Sequence, residues 1–287
     1  MKGEGLMHRK PYAAGSFYPS DADAVNDFIE NVIQKSDIDK KEIKGIILPH
    51  AGWVFSGETA LKTLLRVKNI ENIDTFVLFG AVHTTYLDKP VLFDKGVWET
   101  PLGDMEVNED LIKKYKLESK LESNPKIHQG EHSIEVQLPF LKYLNSSAKI
   151  IPISVPNSID DSLDIYIELF EKLKKEKILF IASTDLTHYG RRFGYAPEGT
   201  GQTALNWVKH EKDPGFIDLI KNKKYKKIIK YSNKNNSACG AGGVALITGL
   251  LKNTKINLEE YTTSADEYEE AGAGSFVTYT GISFEKK

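Results

Sequence analysis

Three short apolar segments of the sequence are each followed within a few residues by histidine. His50 follows Ile43–Leu48, His83 follows Asp74–Phe79, and Asp185 and His188 follow Ile178–Ala182. Near-continuous apolar runs of this length are typical of buried strands. Ligands of open α/β sheets bind beyond the carboxyl ends of such strands. Each histidine alone is more often structural, but their shared position predicts one common site.

Two further residues could take part in chemistry. His132 lies in the segment 129–139 at or near the start of a predicted helix, and a first-turn contact is its simpler interpretation. Cys239 precedes a glycine-rich turn and the helical segment Val244–Leu251. The positive end of a helix favours thiolate, which is the form of cysteine that binds metals. The alternative for Cys239 is a small buried apolar residue.

Two imidazoles and one thiolate can hold a metal ion and leave a coordination position open. Imidazole also suits proton transfer near neutral pH. The sequence contains no C-x-x-C, H-E-x-x-H, P-loop or G-x-S-x-G motif, so several common enzyme classes lose support.

Alternating strands and helices must position these residues. Further strands are predicted at 148–155 and 274–284 and a hairpin at 91–107, while helical periodicity marks 21–34, 56–66, 134–144 and 158–175. This order predicts an α/β fold with a central, largely parallel or mixed sheet flanked by helices. No linker or repeat is visible, so residues 1–287 are expected to form a single domain.

Composition indicates which partners and which cellular compartment to expect. There are 38 basic and 40 acidic residues, giving a net charge of −2, and this balance does not favour binding to nucleic acid or membranes. The single cysteine excludes an intramolecular disulfide. No signal peptide or apolar run long enough to span a bilayer is present. We therefore expect a cytoplasmic protein.

Several motifs together resemble the Memo family, known as protein B of the AmmeMemoRadiSam system. They are Arg9–Pro19 (RKPYAAGSFYP), Leu48–Trp53 (LPHAGW), Thr100–Gly103 (TPLG), Glu131–Phe140 (EHSIEVQLPF), Ser183–Tyr189 (STDLTHY) and Ala238–Gly240 (ACG). The resemblance covers nearly the whole chain, and the ten-residue Glu131–Phe140 run is its most specific part.

This resemblance implies a fold similar to class III extradiol dioxygenases, which use non-haem Fe(II). It implies that His50, His83 and Cys239 line a metal-binding pocket, that Asp185 and His188 are further pocket residues, and that His132 corresponds to the acid/base histidine of the dioxygenases. In a metal-dependent enzyme, His132, Asp185 and His188 would then form the catalytic set. His132 and His188 would move protons, with Asp185 orienting or charging His188. Those dioxygenases have a carboxylate where this chain has Cys239, and the softer thiolate favours zinc or copper.

Three functions remain open from the sequence. The first is a metal-dependent redox enzyme, with Fe(II) as the leading metal and copper or zinc as alternatives. The second is a non-catalytic module that binds a phosphopeptide or protein, with Arg191 and Arg192 contributing charge-assisted contacts. The third is a zinc hydrolase. The substrate is an unknown small molecule or peptide, and the resemblance implies a functional link to AMMECR-type and radical SAM proteins.

Overall fold

The apolar segments form the centre of one large sheet. The structure is a computed structural model that describes residues 7–267 and 274–287. Its strands in chain order are β1 (His8–Arg9), β2 (Ile43–Leu48), β3 (Thr75–Gly80), β4 (Val91–Leu92), β5 (Val97–Trp98), β6 (Met105–Glu106), β7 (Glu122–Ser123), β8 (Lys149–Ser154), β9 (Ile178–Ser183), β10 (His188–Gly190), β11 (Lys255–Thr263) and β12 (Ser275–Glu285).

The main sheet is mixed, with a parallel centre. Its order is β10-β12-β2-β9-β3-β8-β4-β7, and β11 pairs with β12. The four strands β2, β9, β3 and β8 run parallel, whereas β12 and β4 flank them in antiparallel orientation. Every residue of β3 and β9 is buried, which explains their uninterrupted apolar sequences. The predicted fold class is thereby confirmed.

Helices pack on this sheet. They are α1 (Ala22–Gln34), α2 (Trp53–Leu65), α3 (Glu109–Tyr115), α4 (Pro125–His128), α5 (Leu138–Leu144), α6 (Leu163–Glu171), α7 (Gln202–Trp207), α8 (Asp213–Lys221), α9 (Tyr225–Asn235), α10 (Ala241–Leu250) and α11 (Ser264–Glu267). All ten residues of α10 are buried, where it packs against α6, α9 and β9. Asp21 begins α1 by accepting a hydrogen bond from the Ala24 amide, and an apolar stripe of that helix faces the core.

Some boundaries differ from the sequence predictions. The predicted hairpin is formed by β5 and β6, while β4 joins the main sheet instead. The predicted helix at 134–144 starts as a 3₁₀ turn, Glu135–Gln137, before α5. Strand β11 was not predicted because it is half-exposed and polar along much of its length.

In the described part of the chain, no helix combines the length and the apolar character needed to cross a membrane.

Candidate metal site

His50 is held where β2 ends. The Asp185 Oδ1 atom accepts hydrogen bonds from the amides of His50 at 2.7 Å and Ala51 at 3.3 Å. Asp185 itself lies two residues beyond β9, the strand paired with β2. The carboxylate therefore joins the ends of two neighbouring strands and fixes the backbone that carries the imidazole.

A second set of contacts fixes the ring of His50. Its Nδ1 lies 3.1 Å from Ser183 Oγ, and that hydroxyl donates to the Ser133 carbonyl at 2.6 Å. Since the hydroxyl proton is used there, the Ser183 oxygen accepts a hydrogen bond from Nδ1–H of His50, which leaves a lone pair on Nε2. Burial, followed by the charges of His83 and His132, lowers the pKa of His50 well below its usual value. His50 is therefore neutral, as a metal ligand must be.

His83 is oriented by Glu131. The His83 amide donates to Glu131 Oε2 at 2.7 Å, and its Nδ1 lies 2.9 Å from Oε1. Because a carboxylate only accepts, Nδ1 carries a proton, and Nε2 is the nitrogen that remains for Cys239 or for a metal ion. Such carboxylate–histidine pairs orient metal ligands and raise their basicity.

His83 and Glu131 shift each other's pKa. Burial by itself would lower the pKa of His83, but hydrogen bonds to Cys239 and Glu131 raise it to about 10. Burial would raise the pKa of Glu131, yet the hydrogen bond and charge of His83 lower it to about 2. In the metal-free protein at neutral pH, the pair is an imidazolium and a carboxylate.

Cys239 approaches His50 from the turn before α10. Its Sγ lies 3.1 Å from His50 Nε2 and accepts from the Asp185 amide at 3.3 Å. Gly240 permits this approach, since a Cβ at that position would stand 2.4 Å from the Ser183 carbonyl oxygen. The sulfur is thus held against the ends of the same strands that carry His50 and Asp185.

Ligand atoms of His50, His83 and Cys239 lie within 4.8 Å of one another. Two imidazole nitrogens and one sulfur, beside an open cavity, are a donor set that fits a metal ion with a free coordination position. His83, Glu131 and His132 also cluster within this distance. Both Glu131 oxygens already accept hydrogen bonds from His83 or the Ser133 amide, however, so Glu131 supports the site through His83.

His132 lies beside these ligands as part of an aromatic stack. Its ring is 4.4 Å from that of Phe17, 4.8 Å from His83 and 5.4 Å from His50. Its Nδ1 is 3.6 Å from Glu131 Oε1, beyond hydrogen-bonding distance. Burial and then the charge of His83 lower the pKa of His132 to about 4. It is therefore neutral near pH 7 and able to accept a proton.

The relation between Asp185 and His188 differs from the expected one. Asp185 was expected to orient or charge His188. It does not orient the ring, because the hydrogen bonds of its carboxylate go to the amides of His50 and Ala51. The two groups do interact through charge, since burial raises the pKa of Asp185 and the charge of His188 opposes that rise. The carbonyl of Leu186 orients His188 by accepting from Nδ1 at 3.2 Å. The turn after β9 directs the side chains of Asp185 and His188 to different partners, so the two do not form a hydrogen-bonded pair. Nε2 of His188 forms no hydrogen bond with the residues that the structure describes.

A cavity of about 900 Å³ opens over the histidines. This volume is typical of small-molecule sites. The sequence-predicted residues in its wall are His50, His83, His132, Asp185 and His188. Cys239 does not line the cavity, but its sulfur contacts His50, which does.

The mouth of the cavity contains cations and aromatic rings. The exposed lining residues Arg191, Arg192 and Phe193 lie there. Both arginines are exposed, and neither forms an ion pair with any carboxylate whose side chain the structure describes. This region could receive an anionic group.

Sequence reasoning missed the residues that orient the ligands. Glu131 and Ser183 were considered only as members of the Glu131–Phe140 and Ser183–Tyr189 motifs. Gln137, whose Nε2 donates to the Pro49 carbonyl at 2.7 Å, and Phe17 were also not singled out. The signal available for Glu131 and Gln137 was that both lie in the Glu131–Phe140 motif. The residues they contact are distant in sequence, so their roles could not be predicted.

Comparison with known proteins identifies the family. The model described as "Memo-like protein" matches residues 9–283. The chain belongs to the Memo-like family. A MEMO1 family protein of Methanococcoides burtonii is 33% identical over 90% of this chain and 94% of its own length. A relative from Thermoplasma volcanium is 32% identical over 94% of this chain and 98% of its own.

The sequence motifs thus predicted membership of the Memo-like family correctly. Among solved structures, an uncharacterized protein from Escherichia coli K12 is similar over 84% of this chain and 99% of its own. The two are 10% identical with a TM-score of 0.48, a likeness too distant to bear on function.

Proposed function

We propose that this Memo-like protein is a metal-dependent redox enzyme whose ion is held by His50, His83 and Cys239. Fe(II) is the leading candidate, and copper and zinc are alternatives that the thiolate favours. The observation that supports this most strongly is the convergence of the three ligand atoms within 4.8 Å beside a substrate-sized cavity.

An ion held there would supply redox or Lewis-acid chemistry to a substrate in the cavity. The remaining steps fall to the protein's own groups. His132, which is neutral and contacts the rings of Phe17 and His83, accepts a proton from the substrate. His188 exchanges a proton at Nε2, because Nδ1 is engaged by the Leu186 carbonyl.

Anaerobic titration with Fe²⁺, Cu⁺ and Zn²⁺ tests the metal-binding part. We expect one ion per chain, and a large loss of affinity in Cys239→Ala. Cys239→Asp should recover Fe²⁺ better than Cu⁺, since carboxylate oxygen is harder than sulfur. His210→Ala, which changes an exposed histidine outside the site, is the control. Unchanged affinity for all three ions in Cys239→Ala would remove the thiol from the site.

The mouth of the cavity favours a second candidate function. Arg191 and Arg192 are exposed there without a carboxylate partner in the described residues. A module that binds phosphopeptides would use such a pair through charge-assisted hydrogen bonds. Binding of phosphotyrosine peptide by protein that takes up none of the three metals would favour this function over the enzyme.

A further inference from the structure

A buried lysine and aspartate lie behind the metal site, outside the residues discussed so far. They are Lys212, which is 5% exposed, and Asp213, which is fully buried. Lys212 ends a single π-helical turn, Val208–Lys212, between α7 and α8. Such turns are rare and are often found near functional sites. The turn places two consecutive charged side chains inside the protein.

Lys212 touches both loops that meet at the metal site. Its Nζ donates to Thr187 Oγ1 at 2.6 Å and to the Asn236 carbonyl at 2.9 Å. Thr187 lies between Asp185 and His188, and Asn236 is three residues before Cys239. One ammonium group therefore connects the loop after β9 to the loop before α10.

Asp213 completes the connection. Thr187 Oγ1, which receives a hydrogen bond from Lys212, donates its own proton to Asp213 Oδ1. Asp213 Oδ2 accepts from Tyr261 and from Thr278 in β12. Thr187 is thus bonded on both sides, and its loop is held against the sheet.

The charges at this place are unfavourable by themselves. Burial lowers the pKa of Lys212 to about 8, against the opposing effect of Asp213, and burial raises the pKa of Asp213. Replacement of buried ionic groups by apolar ones is often neutral or stabilising. Stability alone is therefore a poor reason for placing this ammonium here, and the two loops it joins suggest another.

We propose that Lys212 is a positioning residue that holds the Cys239 loop against the Asp185–His188 loop. Any effect of Lys212 on metal binding rests on the function proposed above. Its effect on the positions of the two loops does not depend on that function. Lys212 touches none of the three candidate ligands directly and acts through Thr187 and the Asn236 carbonyl.

The single cysteine allows a test without metal. We measure the rate at which iodoacetamide alkylates Cys239 in the metal-free protein, in which no other thiol reacts. Lys212→Met should accelerate alkylation about tenfold, the effect of losing roughly one charged hydrogen bond that restrains the loop. Thr187→Val cuts the same connection with little change in shape and should act in the same direction. Because they break one path, the effects in the double variant should be less than additive.

Asn145→Ala is the matched control. Asn145 is buried, and its amide joins two segments through the carbonyls of Ile70 and Ile73, away from this site. It should lower the melting temperature while leaving the alkylation rate unchanged. If Lys212→Met does not fold, Thr187→Val carries the same test.

Alkylation of folded Lys212→Met or Thr187→Val at the wild-type rate would overturn the proposal. Equal acceleration in Asn145→Ala would also overturn it, because the effect would then be general loosening. A parallel Co²⁺ titration, followed through thiolate-to-cobalt absorption, separates the two proposals. Accelerated alkylation without Co²⁺ binding by any variant, wild type included, supports the role of Lys212 and contradicts the proposed metal function.

Discussion

The floor and the mouth of the cavity are built differently. At the floor, His50 is 2% exposed, and the Nδ1 atoms of His50 and His83 are engaged by Ser183 and Glu131. At the mouth, Arg191 and Arg192 are exposed and Phe193 is 38% exposed. A floor oriented before any ligand arrives suits a metal ion, which requires fixed donor geometry. The mouth suits a substrate whose anionic part can be held in several ways.

The largest effect is expected from Glu131→Gln at the floor. Glu131 accepts three hydrogen bonds, from His83 Nδ1 and the amides of His83 and Ser133. A glutamine of the same shape must point an NH₂ group at one of these donors. We expect metal affinity to fall about 10- to 100-fold, as for other residues that orient metal ligands.

Glu99→Gln provides the control for this prediction. Glu99 also contacts a histidine ring, His8 Nδ1 at 3.0 Å, but outside the cavity. Zn²⁺ titration should give wild-type affinity for this variant. Equal affinity in Glu131→Gln and Glu99→Gln would show that His83 does not depend on Glu131.

Metal affinity should rise with pH. The pKa of about 10 means that His83 is protonated at neutral pH. Its Nε2 proton must leave before that atom can bind an ion. A proton that the folded protein holds tightly therefore competes with the metal, and affinity should increase about tenfold per pH unit for each proton displaced. Zn²⁺ titrations against a chelator of known pH dependence measure this slope, and affinity independent of pH below about 9 would contradict it.

Ser183→Ala should have a smaller effect. It removes the acceptor that keeps the proton of His50 on Nδ1. The other tautomer then competes, and we expect metal affinity to fall about tenfold or less. Ser154→Ala is closely matched, since Ser154 also ends a strand and contacts a buried histidine, His128, at 3.3 Å. A greater loss in Ser154→Ala than in Ser183→Ala would contradict the assignment.

The double variant Arg191→Ala/Arg192→Ala tests the mouth and should leave the floor unchanged. Metal affinity should equal that of wild type, and the free energy of unfolding should change by no more than about 0.5 kcal/mol, as for other exposed positions. Binding of phosphotyrosine or an aromatic carboxylate, measured by calorimetry, should weaken. Loss of metal affinity in this variant would contradict the separate roles of the floor and the mouth.

The sequence predicted the features of the cavity that depend on which residues follow each strand along the chain. The strands before His50, His83 and Asp185 were recognisable because parallel strands buried on both faces have nearly continuous apolar sequences. The partners of the histidines were not recognisable. Ser183 lies 133 positions from His50 and Glu131 48 from His83, so only folding shows that they meet. Strand β11 was missed for a related reason, because its pairing with β12 outweighs its polar composition.

The ligand set itself is tested most directly by X-ray absorption spectroscopy of the Zn²⁺-loaded protein. We expect the zinc ion to have one sulfur neighbour at about 2.3 Å and two imidazole nitrogens at about 2.0 Å, with any further neighbour being a lighter atom. In Cys239→Ala, the sulfur contribution should disappear. A zinc shell without sulfur in the wild-type protein would contradict the assignment of His50, His83 and Cys239 as the metal site.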